Sequence, residues 1–448
     1  MVSALNRPAY LGLMAPTELT KSEDALMNNT NKQKQIQLSG PWLTKWVLLI
    51  VFTGLLAGSA SAFFLHALDW VTETRNQHPG LIFGLPLAGL LIGLLYYYVG
   101  KEASPGNRGI VREFYKPQKP VSWLMAPLVL LGTLLTHLVG GSAGREGTAL
   151  QMAASLADRL SAPFNLSAIE RQILLSMAIS AGFGSVFGTP WAGAVFALEL
   201  LLFKPFKLVY LVPVFISSFW ADWVCSYLGP AHSAYEIPIL PEISLLNLGY
   251  TALAGLVFGM VAFLYLKTHG LFEWLFKSSV SWPPFRPVTG GLVLLLIFLF
   301  FSLEQYMGLG IPFIQDSFIM QGDWYVFLIK LLLTAFTLAA GFKGGEVTPL
   351  FFIGAALGNF LSFFVPLPIA LMAGMGFVAV FSSAAHTPLA GVLLGMELFG
   401  WQVWPFMLVS GVFAWLFSGK DSLYFSDELF SYKKKIINQI STFRNTVK

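Results

Sequence analysis

The stretch GGSAGREGTALQ, residues 140–151, sets two charges, Arg145 and Glu146, side by side among glycines. Its surroundings read as membrane, where an intramembrane charge costs about 3 kcal/mol on insertion scales and is kept only against a partner or a water-filled cavity. A second stretch, GFKGGEVTP at 341–349, repeats the arrangement of glycines, one carboxylate and then a threonine. From Tyr325 to Gly419 the only charged residues are Lys330, Lys343, Glu346 and Glu397, so two of the four belong to that break.

The composition sets the class. Hydrophobic residues make up 56% of the chain and charged residues 11%, and mean hydropathy is +0.68, far from the usage of soluble domains. Long apolar runs begin at Trp46, near Leu81, Trp123, Leu208, Leu245 and Val288, and near Tyr325; a helix needs roughly 20 such residues to cross the hydrocarbon core. The expectation is an all-α polytopic membrane protein, because a transmembrane β-barrel would alternate in short segments.

The one cysteine, Cys225, allows no intramolecular disulfide, and the six histidines offer no HxxxH or HExxH spacing, so no metal and no cofactor is expected. The first forty residues lack the apolar core of a signal peptide, leaving the first apolar run as anchor. Lys32, Lys34 and Lys45 precede that run, and Lys433, Lys434, Lys435, Arg444 and Lys448 follow the last one. Positive-inside bias then puts both termini in the cytoplasm and makes the number of crossings even. The net charge of +4 resides in these flanks rather than on a nucleic-acid-binding face.

The chain also resembles itself. GTPWAGAVFALEL (188–200) and HTPLAGVLLGMEL (386–398) share TPxAGxxxxxEL at an offset of 198, and GREGT (144–148) matches GGEVT (344–348) at an offset of 200. Two motifs in one order at nearly one offset indicate a duplication. The expected organisation is a cytoplasmic segment 1–40, a first repeat 41–277, a linker 278–287, a second repeat 288–418 and a C-terminal segment with a basic tail, 419–448. Helices broken by Gly and Pro at matching points of two repeats point to a transporter's substrate site, because free backbone groups cannot face lipid.

At each break a glycine turn precedes a helix start, with Thr348 and Pro349 suited to the cap and first turn of the second. First-turn amides and the helix dipole attract anions. A carboxylate there, Glu146, can act as a tethered anion that protonation releases, serving as gate and proton carrier. A neighbour salt bridge or plain complement to the dipole is the other reading. GKEASPGNRGIV (100–111) is a third turn-rich segment, in which Gly106 and Asn107 offer donors to an anion or form an ordinary loop. A membrane enzyme using Glu146 and Glu346 as acid and base is a rival of another class, weakened by the absence of a nucleophile constellation.

GNRGI (106–110), GREGT (144–148) and GGEVTP (344–349) together resemble the CLC family of chloride channels and anion/proton antiporters, and DSLYFS (421–426) is similar to the family's pore-facing tyrosine motif. The resemblance covers roughly residues 40–430. It implies a fold of two inverted repeats whose broken helices meet at a midplane anion site, with Gly106, Asn107, Gly147, Thr148, Val347, Thr348 and Tyr424 binding the anion. It also implies a homodimer with one pathway per subunit. Asn107 replaces the family's usual serine, Thr148 its proline, and Val347–Thr348 an aromatic–alanine pair, a combination similar to the bacterial fluoride-exporting branch.

The resemblance therefore implies a fluoride/proton antiporter in a bacterial inner membrane, with a chloride antiporter or channel as the alternative. Fluoride is small and strongly hydrated, so replacing its water calls for compact donors such as Asn107, Thr148 and Thr348. The threonines equally suit helix capping. Typical antiporters of the family carry two adjacent glutamates after the TPxAG-like segment, whereas here Glu199 is followed by Leu200. Glu346 is then a possible second titrating group or a structural partner of Lys343.

Overall fold

The computed structural model describes residues 40–424 except 116, 202–210, 231 and 233. The basic flanks at 32, 34 and 433–448 lie outside the described residues, as does the start of the run near Leu208. The chain divides into units 1–48 and 49–448; only the opening turns of the first helix represent the former, and the rest of the description concerns the latter.

Among the described residues there are sixteen α-helices. Those of the first half are α1 (Gly40–Gln77), α2 (Leu85–Tyr98), α3 (Gly106–Tyr115), α4 (Met125–Leu138), α5 (Glu146–Ala157), α6 (Ala168–Phe187), α7 (Pro190–Leu201), α8 (Leu211–Tyr227) and α9 (Leu245–Ser279). Those of the second are α10 (Phe285–Phe301), α11 (Ile311–Asp316), α12 (Val326–Ala340), α13 (Val347–Leu361), α14 (Ile369–Ala385), α15 (Pro388–Phe399) and α16 (Trp404–Phe417). The stretch expected to link the repeats is partly helical, since α9 runs to Ser279 and α10 begins at Phe285.

By length and composition, three helical stretches could cross a bilayer alone: Gly40–Gln77, Pro79–Tyr98 and Leu245–Ser279. Most of the other apolar helices, such as Val326–Ala340 and Val347–Leu361, are shorter. At 1.5 Å per residue, the 35 residues of α9 span about 50 Å, so α9 must tilt or extend beyond a hydrocarbon core of about 30 Å.

Lipid gives apolar helices no hydrophobic reason to associate, so close backbone approach across small residues has to supply the packing. Three GxxxG pairs do this. On α2, a Cβ at Gly89 or Gly93 would lie 2.4 Å from Pro287 O or 2.5 Å from Pro284 O, at the start of α10. On α9, a Cβ at Gly255 or Gly259 would lie 2.6 Å from Ser410 O or 2.2 Å from Ala414 O of α16. On α13, a Cβ at Gly354 or Gly358 would lie 2.0 Å from Gly376 O or Met372 O of α14.

The duplicated TPxAGxxxxxEL motif forms a reciprocal pair. The Glu199 carboxylate near the end of α7 accepts hydrogen bonds from Leu389 N (3.1 Å) and Ala390 N (2.8 Å) in the first turn of α15. Glu397 on α15 accepts from Trp191 N (2.9 Å) and Ala192 N (2.7 Å) in the first turn of α7. Each helix thus satisfies amides that the other leaves without an intrahelical acceptor, which lays α7 and α15 antiparallel.

Two stability predictions follow from this packing. Gly354→Ala drives a Cβ into the backbone of α14 and should destabilise the solubilised protein by about 1–3 kcal/mol or more; Gly411→Ala on α16, with open space at its Cβ, should leave stability unchanged or raise it by up to about 1 kcal/mol. Thermal unfolding of the two variants side by side checks the contrast. Glu397→Ala should cost about 1–2 kcal/mol through the freed amides of Trp191 and Ala192, with Glu397→Gln costing less because one acceptor oxygen remains; equal midpoints for all three proteins would refute the reciprocal cap.

Candidate functional site

Both breaks come together. Gly144 and Gly345 form an isolated antiparallel bridge, with Gly144 N to Gly345 O at 2.6 Å and Gly345 N to Gly144 O at 2.7 Å. A Cβ at Gly345 would lie 2.8 Å from Gly147 N and 3.0 Å from Glu146 N, and one at Gly147 would lie 3.2 Å from Gly345 Cα. Only glycine lets the two chains approach this closely, which accounts for the glycines around the charges.

Glu146 is the first residue of α5 and is fully buried. Its carboxylate does not turn back onto its own helix alone. Oε2 accepts from Arg145 N at 3.1 Å and from Thr348 N at 3.0 Å, and Oε1 accepts from the Thr348 hydroxyl. The Arg145 Nε lies 3.7 Å from Oε1, so the neighbour pair and the anion position coexist. The carboxylate sits at the N-terminus of α13, where a free anion would find the same donors and the same positive end of the dipole.

The start of α13 differs from the sequence expectation in one respect. Glu346, not Thr348, occupies the cap position, and no side chain caps the helix. Thr348 stands one residue into the helix, where its amide and hydroxyl both go to Glu146. Thr148 on α5 pairs instead with the Thr133 hydroxyl of α4 at 2.7 Å, while Val347 is buried at the first position of α13.

α3 begins at Gly106, whose φ of +55° suits glycine. Asn107 follows, its amide nitrogen 2.9 Å from where a Gly147 Cβ would lie. Its Oδ1 is buried without a protein partner. Asn107, Leu200 and Tyr424 line one cavity of about 10 Å³ together with Ile110, Val111, Leu150 and Ile179. That volume holds about one water-sized body.

Tyr424 is buried and meets the Phe196 ring edge-on at 5.7 Å. The segment before it is pinned at several points: Arg108 Nε donates to Leu423 O (3.1 Å), Leu423 N to Ala384 O (3.1 Å), and Lys267 pairs with Asp421 (2.7 Å). Arg108 and Lys267 carried no distinguishing mark in the sequence.

Glu346 lies apart from Glu146. Its Oε1 accepts from the Tyr265 hydroxyl at 3.0 Å and is 4.0 Å from His269 Nε2, both on α9. Lys343 lies over the Tyr96 ring, 4.1 Å from its centroid, rather than reaching Glu346. Neither α9 residue was singled out by the sequence, although their spacing of four, which puts them on one helix face, was a readable signal.

Comparison with known proteins agrees with this geometry. The family model described as "Voltage gated chloride channel" matches residues 88–419. A "Chloride/fluoride channel protein" of Pseudomonas syringae pv. tomato is 42% identical over 405 residues, covering 89% of each chain. The crystal structure of a CLC-type fluoride/proton antiporter superposes with a TM-score of 0.82 at 34% identity, over 87% of this chain and 98% of that one. A slow cyanobacterial Cl⁻/H⁺ antiporter gives 0.75 at 19% identity, over 87% and 98%, a likeness of fold. With the duplicated motifs paired antiparallel as these inverted-repeat structures require, the chain belongs to the voltage-gated chloride channel, or CLC, family.

Proposed function

We propose that the protein is a fluoride/proton antiporter that exports fluoride across a bacterial inner membrane at the expense of the proton gradient. The observation that carries this reading is the Glu146 carboxylate seated on the Thr348 amide and hydroxyl at the start of α13. Ionised, it holds the position as a tethered anion. Protonated, it loses its charge and its hold on those donors, and a free anion can replace it. One residue thereby ties proton uptake to anion entry at this position and proton loss to anion release, because the two occupants exclude each other.

Fluoride is favoured by the donors and by size. Thr348 offers an amide and a hydroxyl on adjacent atoms, the nearby Asn107 side chain carries an amide, and the cavity between Asn107 and Tyr424 is only about 10 Å³. A small, strongly hydrated anion gains more from such compact donors than a large one. The names of the 42%-identical relative and the 34%-identical structure, which include fluoride, lend support. Chloride remains the second reading, since the family model and that same relative's name include it.

Further parts of the reading are a homodimer and cytoplasmic termini. Exposed aromatic residues on α8 and α16, Trp223 and Trp404 among them, suit either a second subunit or lipid. The basic residues flanking the apolar runs favour the cytoplasmic side for both ends. Gly106, Asn107, Gly147, Thr148, Val347, Thr348 and Tyr424 would bind the anion as it passes.

Liposomes holding the purified protein should release fluoride at least about tenfold faster than chloride, equivalent to about 1.4 kcal/mol of discrimination, with protons moving the opposite way; a fluoride electrode, a chloride electrode and a pH probe read all three. Chloride release as fast as fluoride would overturn the selectivity. Glu146→Gln, uncharged and unable to carry a proton, should lower coupled exchange by on the order of 100-fold while the protein still runs as a folded species on gel filtration. Exchange at the wild-type rate in that variant would remove Glu146 from the mechanism.

A further inference from the structure

Four residues of α9 recur at a spacing of four: Tyr265, His269, Glu273 and Lys277. In a helix this spacing aligns side chains on one face, and here the face runs from the core outward. Tyr265 is fully buried, whereas the side chains of His269, Glu273 and Lys277 are 18%, 35% and 59% exposed. At the buried end Tyr265 donates to Glu346 and its ring stacks against the His269 imidazole, centroids 6.3 Å apart at 23°. At the outer end Lys277 Nζ pairs with Glu273 at 2.6 Å.

His269, Glu273 and Lys277 also line an open cavity of about 610 Å³. At about 30 Å³ per water it holds on the order of twenty waters. Water therefore reaches the imidazole, which stands 4.0 Å from Glu346, a side chain that is itself 26% exposed but does not line this cavity. Leu200, with Asn107 and Tyr424, lines a separate cavity of about 10 Å³ with no carboxylate in its lining.

We infer that α9 carries a proton relay in which His269 passes protons between the water of this cavity and the Glu346 carboxylate. A neutral imidazole accepts a proton on one nitrogen and releases one from the other. With Nε2 toward Glu346, Nδ1 takes the proton from cavity water and Nε2 gives its own to the carboxylate. A half-turn of the ring about its Cβ–Cγ bond then brings the protonated nitrogen to face Glu346 for the next transfer, so no charge accumulates on the imidazole. The 4.0 Å gap is the width that one bridging water or a rotation of the side chain spans.

Glu273 stands on the water side of His269 and offers the first acid that an incoming proton meets, while Lys277 holds it at the cavity wall. From other elements, Lys101 before α3, Arg286 on α10 and Lys343 before α13 face the same cavity. These three cations attract anions into it.

The relay rests on the fluoride/proton exchange proposed above, and its test separates the two. Full-length wild-type, His269→Gln and His269→Ala proteins are compared in liposomes by simultaneous fluoride and pH recording. Wild-type vesicles without coupled exchange overturn the exchange reading and the relay with it. With wild-type exchange present, both variants should run about tenfold slower, and imidazole added on the side where α9 ends should restore most of the loss in His269→Ala. Either folded variant exchanging at the wild-type rate, or a loss in His269→Ala that imidazole leaves unchanged, overturns the relay alone. Should His269→Ala fail gel filtration, His269→Gln decides: a tenfold loss with fluoride binding intact by calorimetry supports the relay, and any other result overturns it.

Discussion

Two helices that start inside a membrane leave amides with nowhere to turn except to each other's chain or to an anion, and the Gly144–Gly345 bridge is where this constraint is met. It fixes the starts of α5 and α13 within backbone contact. Any Cβ at Gly345 would collide with the amides of Glu146 and Gly147, so the approach depends on glycine at both breaks. Once the starts are this close, a side chain from one reaches the amides of the other, and the carboxylate of Glu146 comes to rest on Thr348. The rest of the arrangement serves to keep these two breaks in register.

The same logic recurs at α7 and α15, where Glu199 and Glu397 cap each other's helices. Their carboxylates are partnered by two amides each and are bound to a structural task. The difference from Glu146 lies in the competition. Glu146 sits on donors that a small anion could take, beside a residue, Asn107, with a buried oxygen that no protein group satisfies. A carboxylate in such a place has an alternative occupant for its partners, whereas the reciprocal caps have none nearby.

Close packing makes the geometry rigid enough for this competition to matter. The GxxxG pairs on α2, α9 and α13 bring backbones together without relying on a hydrophobic drive that lipid does not provide. α9 has a double role, since Gly255 and Gly259 seat it against α16 while its Tyr265 and His269 reach Glu346. The Tyr424 segment is likewise held by Arg108 and Lys267, so both ends of the small cavity are anchored to helices rather than left on a loose strand.

The amino-acid sequence by itself determined the class, the duplication and the positions of the two charged breaks, because each of these depends on local composition or on comparison of the chain with itself. It also marked where helices could start, since a glycine turn followed by a capping residue is a local signal. Its placing of the cap at Thr348 fell two residues late, as the Thr348 hydroxyl is drawn to Glu146 instead of to its own helix. Only the tertiary structure decided which helix start the Glu146 carboxylate occupies and that Glu346 faces Tyr265 and His269 rather than Lys343. The partner of Glu146 lies 202 residues away and that of Glu346 lies 81, and no local pattern fixes contacts at such separations. They follow from the register of two antiparallel repeats, set where backbones meet at glycine.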